Sequence, residues 1–191
     1  YSIEGSLIIN SIRKIVNGTS SFMNYCGPFI KSIFLNNELT SDDSFIGEEA
    51  NQPNESSNSI AIIIQHMAGN MLSRWTGFLT SDGEKDWRNR DTEFEEQHMN
   101  REQLMAFWEK GWACCLDAIG SLQDEDLSKT IYIRGEGLIV VDAINRQLAH
   151  YPYHVGQIVY LGRMIRNHDW QNLSIPKGQS DHFNKEMREK K

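Results

Sequence analysis

The sequence predicts an all-α fold, a four-helix bundle whose connections include a crossover. Three long stretches carry apolar residues at helical spacing, a weaker one precedes them, and the links between the strong stretches are long. The 191 residues fit a single domain spanning 1–191 and suffice for a full-sized core. With 39% hydrophobic and 24% charged residues, the composition is that of a globular chain and not of a disordered one.

The N-terminal stretch Ile3, Leu7, Ile8, Ile12, Ile15 and Val16 has helical spacing and stops at Asn17-Gly18. Gly27-Pro28 interrupts the apolar run that follows, and residues 41–59 read as a polar loop. A helix over 60–79 is predicted by Ile60, Ile63, Ile64, Met67, Met71, Trp75 and Leu79, with Ser59, Asn58 or Ser57 as its cap. Asn100 and Gln103 form a capping box for a second helix over 101–122, with Met99 and Leu104 spaced as a hydrophobic staple. Thr130–Ile133 reads as a short strand. The last long helix covers 139–166 and contains Pro152. Trp75, Trp108, Trp112, Ile144, Leu148 and Ile158 are the expected core. The links at 80–99 and 123–138 exceed the roughly 2–8 residues that join antiparallel neighbours, so they cross over or shape a site. The charged end, residues 185–191, reads as solvated and fraying.

A formal charge of -7 disfavours nucleic acid and anionic lipid surfaces as partners. No run approaches the roughly 20 apolar residues of a membrane span, and the N-terminal apolar run lacks the flanks of a signal peptide. Three cysteines, with Cys114 and Cys115 adjacent, read as free thiols in a reducing compartment. The expectation is a cytoplasmic protein.

His150 and His154 are four apart on the last long helix, a spacing that stacks two side chains on one face. One helix can offer two imidazoles to one metal ion in this way; the alternative is a surface or capping pair. At 100° per residue both histidines flank the apolar stripe, beside Ala143, Gln147 and Leu161, and Pro152 between them bends the helix and opens space. His66 lies on another helix, one turn from Ile62 and from Asn70, where the apolar residues run nearly all round. It faces either an inter-helix site or a single hydrogen-bond partner. His98, His168 and His182 fall in a connection or the tail and read as exposed. No CxxC, GxGxxG, Walker or GxSxG pattern occurs.

Residues 57–79 (SNSIAIIIQHMAGNMLSRWTGFL) and 142–161 (DAINRQLAHYPYHVGQIVYL) resemble the DinB/YfiT-like superfamily of inferred metalloenzymes. WRNRDTEFE at 87–95, WEKGW at 108–112, IRGE at 133–136 and LSIPKGQS at 173–180 resemble an uncharacterised bacterial branch of it. The resemblance covers roughly residues 52–182 and fails over the first 50. It implies a four-helix bundle with a crossover and a divalent metal held by one histidine of the second helix and two of the fourth, here His66, His150 and His154. It also implies kinship with enzymes that use small thiols such as bacillithiol or mycothiol.

Three neutral imidazoles leave a coordination position open, as catalytic and not structural sites do. Zinc and nickel both suit such donors. Activated water would give a hydrolase and a coordinated thiol an S-transferase; the resemblance favours the transferase, with a small-molecule thiol or another small substrate as partner. Asn70, Arg146 and Gln157 are the candidates to orient substrate or ligands, Arg146 having a surface ion pair as its alternative. No residue stands out in the sequence as a general base; Glu136 is a carboxylate guessed at for it. The competing class is a non-enzymatic metal-binding bundle or a dimerisation module, here a homodimer.

Overall fold

The computed structural model describes residues 52–95, 97, 99–166, 170, 172 and 174–190. The N-terminal stretch 3–16, the interrupted run 19–39, His98 and His168 lie outside the described residues. What is described is mostly helical, with one small two-stranded sheet.

Helix α1 spans Ile60–Trp75, and the Ser59 hydroxyl accepts the N–H of Ile62 at 3.2 Å to cap it. The predicted helix ran four residues further. Thr76 is extended and Gly77 has φ 59°, so the chain turns there, and Phe78 reaches the core from the turn instead. All of α1 is buried except Ala61 and Leu72, because it is covered by α2, by a later helix and by a 3-10 turn at Asp91–Phe94. Helix α2, Arg101–Ser121, begins with the Asn100/Gln103 capping box and buries one face, including Trp108 and Trp112. The α1–α2 crossing is close: a Cβ at Gly111 would stand 3.0 Å from Cα of Ala68.

Strands β1 (Thr130–Ile133) and β2 (Glu136–Ile139) form an antiparallel hairpin. Its turn is Arg134-Gly135, at φ 57° and 76°, the paired left-handed conformation that matches strand twist in a two-residue turn. A left-handed arginine is uncommon. Asp82 holds it there, its carboxylate accepting the N–H groups of Arg134 at 2.8 Å and Gly135 at 2.7 Å. The second strand takes residues read from the sequence as connection, since its pairing depends on this long-range anchor.

Helix α3, Val140–Arg166, runs unbroken through Pro152. Its buried stripe follows Ile144, Gln147, Tyr151, His154 and Ile158. Leu148, expected in the core, is 36% exposed. At 100° per residue it lies about 80° from Ile158 on the flank opposite the histidines, so turning His154 inward turns Leu148 outward. The other five expected core residues are buried. The charged tail is not a frayed end: Ser180–Glu189 forms helix α4 with no buried residue, Asp181 in its first turn and Arg188 in its last suiting the helix dipole. Among the described residues, no helix is long and apolar enough to cross a membrane.

Trp108→Ala should cost on the order of 3–5 kcal/mol in denaturant unfolding, and Leu148→Ala less than about 1 kcal/mol. Equal losses would mean that α3 is rotated from this placement.

Candidate metal centre

One residue of α1 and two of α3 meet at a single point. The rings of His66, His150 and His154 approach with centroids 5.5, 5.0 and 4.7 Å apart, and one ring nitrogen from each lies within 4.8 Å of the others. Among the described residues this is the group of His, Cys, Asp or Glu side chains with metal-ligand spacing.

Hydrogen bonds on the far side of two rings decide which nitrogens face inward. Nδ1 of His66 lies 2.9 Å from Oε2 of Glu93. A carboxylate can only accept, so Nδ1 carries a proton, and in the neutral ring Nε2 is then the nitrogen with the lone pair. Nδ1 of His154 donates in the same way to Oε1 of Gln157 at 2.8 Å. Its Nε2 then faces Nε2 of His150 at 3.1 Å. Two nitrogens each about 2.0–2.1 Å from a tetrahedral ion stand about 3.3 Å apart, so this spacing fits two ligands of one cation. Imidazoles whose outer N–H binds a carboxylate or carbonyl are the usual environment of metal-ligating histidine.

The site is deeply set. His66 is 4% and His154 9% exposed, with His150 half-buried. Burial, followed by the neighbouring His154 and His66, pushes the His150 imidazole down to about 4, and burial also lowers His154. Neutral imidazole, the form that binds metal, is therefore favoured at neutral pH for both.

Glu93 comes from the 3-10 turn at Asp91–Phe94, which α1 holds by neighbouring residues. The Gln65 carboxamide donates to the carbonyls of Thr92, Glu93 and Glu95 at 3.2, 2.9 and 3.1 Å, while His66 takes the Glu93 side chain. Burial would raise the Glu93 carboxyl, but Arg88, bonded to it at 2.7 and 2.8 Å, and His66 outweigh that and hold it below the usual carboxylate range. Arg88 also pairs with Glu84, which takes Arg74 at 2.8 Å and Arg134 at 3.3 Å. A chain of alternating charge thus runs from the histidines to the hairpin turn. Sequence spacing missed Glu93, Arg88, Glu84 and Arg74. Arg74 falls in the tract at 57–79 and Arg88 and Glu93 in that at 87–95, both of which carry the resemblance and not a recognisable chemistry.

The remaining candidates are dispersed around this centre. Asn70 accepts from the Tyr151 hydroxyl at 3.3 Å, and that hydroxyl accepts from Nε1 of Trp75 at 2.9 Å, tying α1 to α3. Gln157 holds His154. Arg146 is exposed and, with Asn70, Arg74, His66 and His150, lines a pocket of about 250 Å³. Glu136 is exposed on β2 and does not line that pocket. His182 is exposed on α4.

Three outcomes test this geometry. A methyl group at Gly69 would collide with Oε1 of Glu93. Gly69→Ala should therefore displace the carboxylate from His66 and weaken zinc binding about 10–100-fold in chelator competition; unchanged affinity would deny Glu93 its role. The unfolded chain takes a proton on His150 near pH 6.5, whereas the folded metal-free chain refuses it until about pH 4. Stability of the metal-free protein should accordingly fall as pH drops through that window, and His150→Ala should flatten the dependence seen in denaturant titrations.

No curated protein and no solved structure matches the chain. A family model does: the one described as "Protein of unknown function (DUF1572)" matches residues 38–179, a span that holds all three histidines, Glu93 and the hairpin, and the chain belongs to that family.

Proposed function

We propose that this protein is a metal-dependent enzyme of the DinB/YfiT-like kind, a single-domain four-helix bundle with a crossover, acting in the cytoplasm as an S-transferase on a small-molecule thiol. The carrying observation is the convergence of His66, His150 and His154 with Glu93 and Gln157 fixing two of the rings from outside. A divalent cation such as zinc or nickel, when bound, would stabilise thiolate over thiol at neutral pH.

The chain's own residues supply the remaining requirements. Three histidines leave a coordination position for substrate, and the pocket beside His66 and His150 gives that position a way out. A sealed ion with four protein ligands would have supported the structural reading instead. Asn70 and Tyr151 keep the two helices in register beneath the site. Arg146, exposed at the pocket, is placed to orient a substrate. In the transfer itself the thiol sulfur bonds to the electrophile's carbon, the leaving group departs with the electron pair, and the thiol proton passes to solvent.

Elemental analysis of the purified protein should find about one divalent metal per chain. His150→Ala should lose it and His182→Ala should keep it; equal metal in both variants would refute the site. Adding small thiols to cobalt-substituted protein should produce a sulfur-to-metal charge-transfer band that His154→Ala abolishes. Silence with thiols, accompanied by cleavage of ester or amide substrates, would replace the transferase with a hydrolase. Silence with both panels would leave a non-enzymatic metal-binding bundle.

A further inference from the structure

The pocket over the histidines is built mainly of arginine. Arg74, Arg88, Arg90, Arg134 and Arg146 all line it, in a chain whose net charge is -7. They come from α1, the connection after it, the hairpin turn and α3, so no local run of basic sequence explains the cluster.

The five are not equivalent. Arg74 and Arg88 are buried and committed, Arg74 to Glu84 and the Gly83 carbonyl, Arg88 to Glu93 and Glu84. Arg134 is more than half exposed and shares Glu84 at 3.3 Å. Arg90 is exposed, its guanidinium carbon lies 4.9 Å from the centroid of the Phe94 ring, and it makes no ion pair among the described residues. Arg146 is exposed and makes no ion pair among the described residues. Glu84 and Glu93 neutralise two of the five charges, which leaves three. Asp82, held by the N–H groups of Glu84, Arg134 and Gly135, has its charge opposed by Lys85.

A second, independent feature borders the same pocket. Gln147 lines it and is only 5% exposed; its Oε1 is turned away from solvent and has no hydrogen-bond partner among the described residues. A buried acceptor left unpaired is costly and calls for a donor.

We propose that this pocket binds a small organic anion that also carries a hydroxyl or amino group. Its carboxylate or phosphate lies against Arg90 and Arg146, with Arg134 at the edge, and its donor group takes up the Gln147 carboxamide, which turns its Oε1 toward the pocket to accept. Guanidinium groups suit this task, since their planar fork presents paired N–H donors to carboxylate or phosphate oxygens. The volume of about 250 Å³ admits a small metabolite and no polymer. That the far end of this ligand meets the metal rests on the reading of the histidines as ligands; the anion site itself does not.

Calorimetric titration of the metal-free protein with tartrate, succinate and inorganic phosphate tests the site without the metal. Saturable binding is expected at low ionic strength, weakened by added salt. Tartrate should bind more tightly than succinate, which lacks its hydroxyls, and Gln147→Met should erase that preference. Arg146→Gln and Arg90→Gln should each weaken binding by about tenfold or more, while Arg163→Gln, an exposed position outside the pocket, should not. Both arginines are exposed, and thermal melts of the variants would show that the fold is intact. No saturable binding of any probe, or equal affinity in all three arginine variants, would overturn the anion site. Equal affinity for tartrate and succinate would overturn the role of Gln147. Anion binding that persists in a protein shown to take up no metal would uphold this site and refute the metal reading.

Discussion

Glu93 sits nine-tenths buried between an imidazole and a guanidinium, and most of the described structure is arranged so that it can. An ionised carboxylate in that setting carries several kcal/mol of desolvation cost, which only close partners offset. Arg88 supplies two hydrogen bonds and His66 a third. Removing Arg88 would leave the buried Glu93 charge with only the imidazole of His66 against it, so the carboxylate depends on the guanidinium first. This requirement explains Gly69, whose missing side chain is the space that the carboxylate occupies. It also explains Gln65, which fastens the backbone carrying Glu93 to the helix carrying His66.

The same chain of charge continues outward, and there it changes purpose. Arg88 hands on to Glu84, Glu84 to Arg74 and Arg134, and Asp82 fixes the backbone of the turn that bears Arg134. The Arg88–Glu93 link is buried and bonded on several sides; outward, Arg74 is still buried, but Glu84 is a quarter exposed and Arg134 more than half. The inner half therefore acts through geometry, setting the tautomer of His66. The outer half acts through charge, lining the way to the histidines with cations. The connection between α1 and α2 supplies Asp82, Glu84, Arg88 and Glu93, members of both halves, which accounts for a length greater than helix packing alone needs.

How far the sequence could be read follows the range of the forces involved. Helix starts are local, and Ser59 and the Asn100/Gln103 box were legible because a cap contacts residues two or three positions away. The histidine pair on α3 was legible because four residues make one turn. Glu93 was not, since its partner lies 27 positions away and nothing in a polar loop marks one carboxylate above its neighbours. The second hairpin strand was missed for the same reason, its turn being anchored by Asp82 across 52 positions. Leu148 failed differently. Its spacing is apolar and correct for a helix, but the stripe's centre is set by where His154 must point, and hydropathy weights a histidine as if it belonged outside.

The wall and the centre impose opposite demands on a ligand, and together they imply coupling. Five arginines with only Glu84 and Glu93 between them disfavour an approaching cation, while three imidazoles, one of them backed by the Glu93 carboxylate, favour one. An anion in the pocket would relieve the first effect without touching the second. Each species should therefore raise the affinity for the other, and by the same factor, because linkage between two bound ligands is reciprocal. A bare cation is then a poor match for this pocket and a bare anion only a partial one. The arrangement suits a pair, with positive charge at the histidines and negative charge against the arginines, separated by the width of a small molecule.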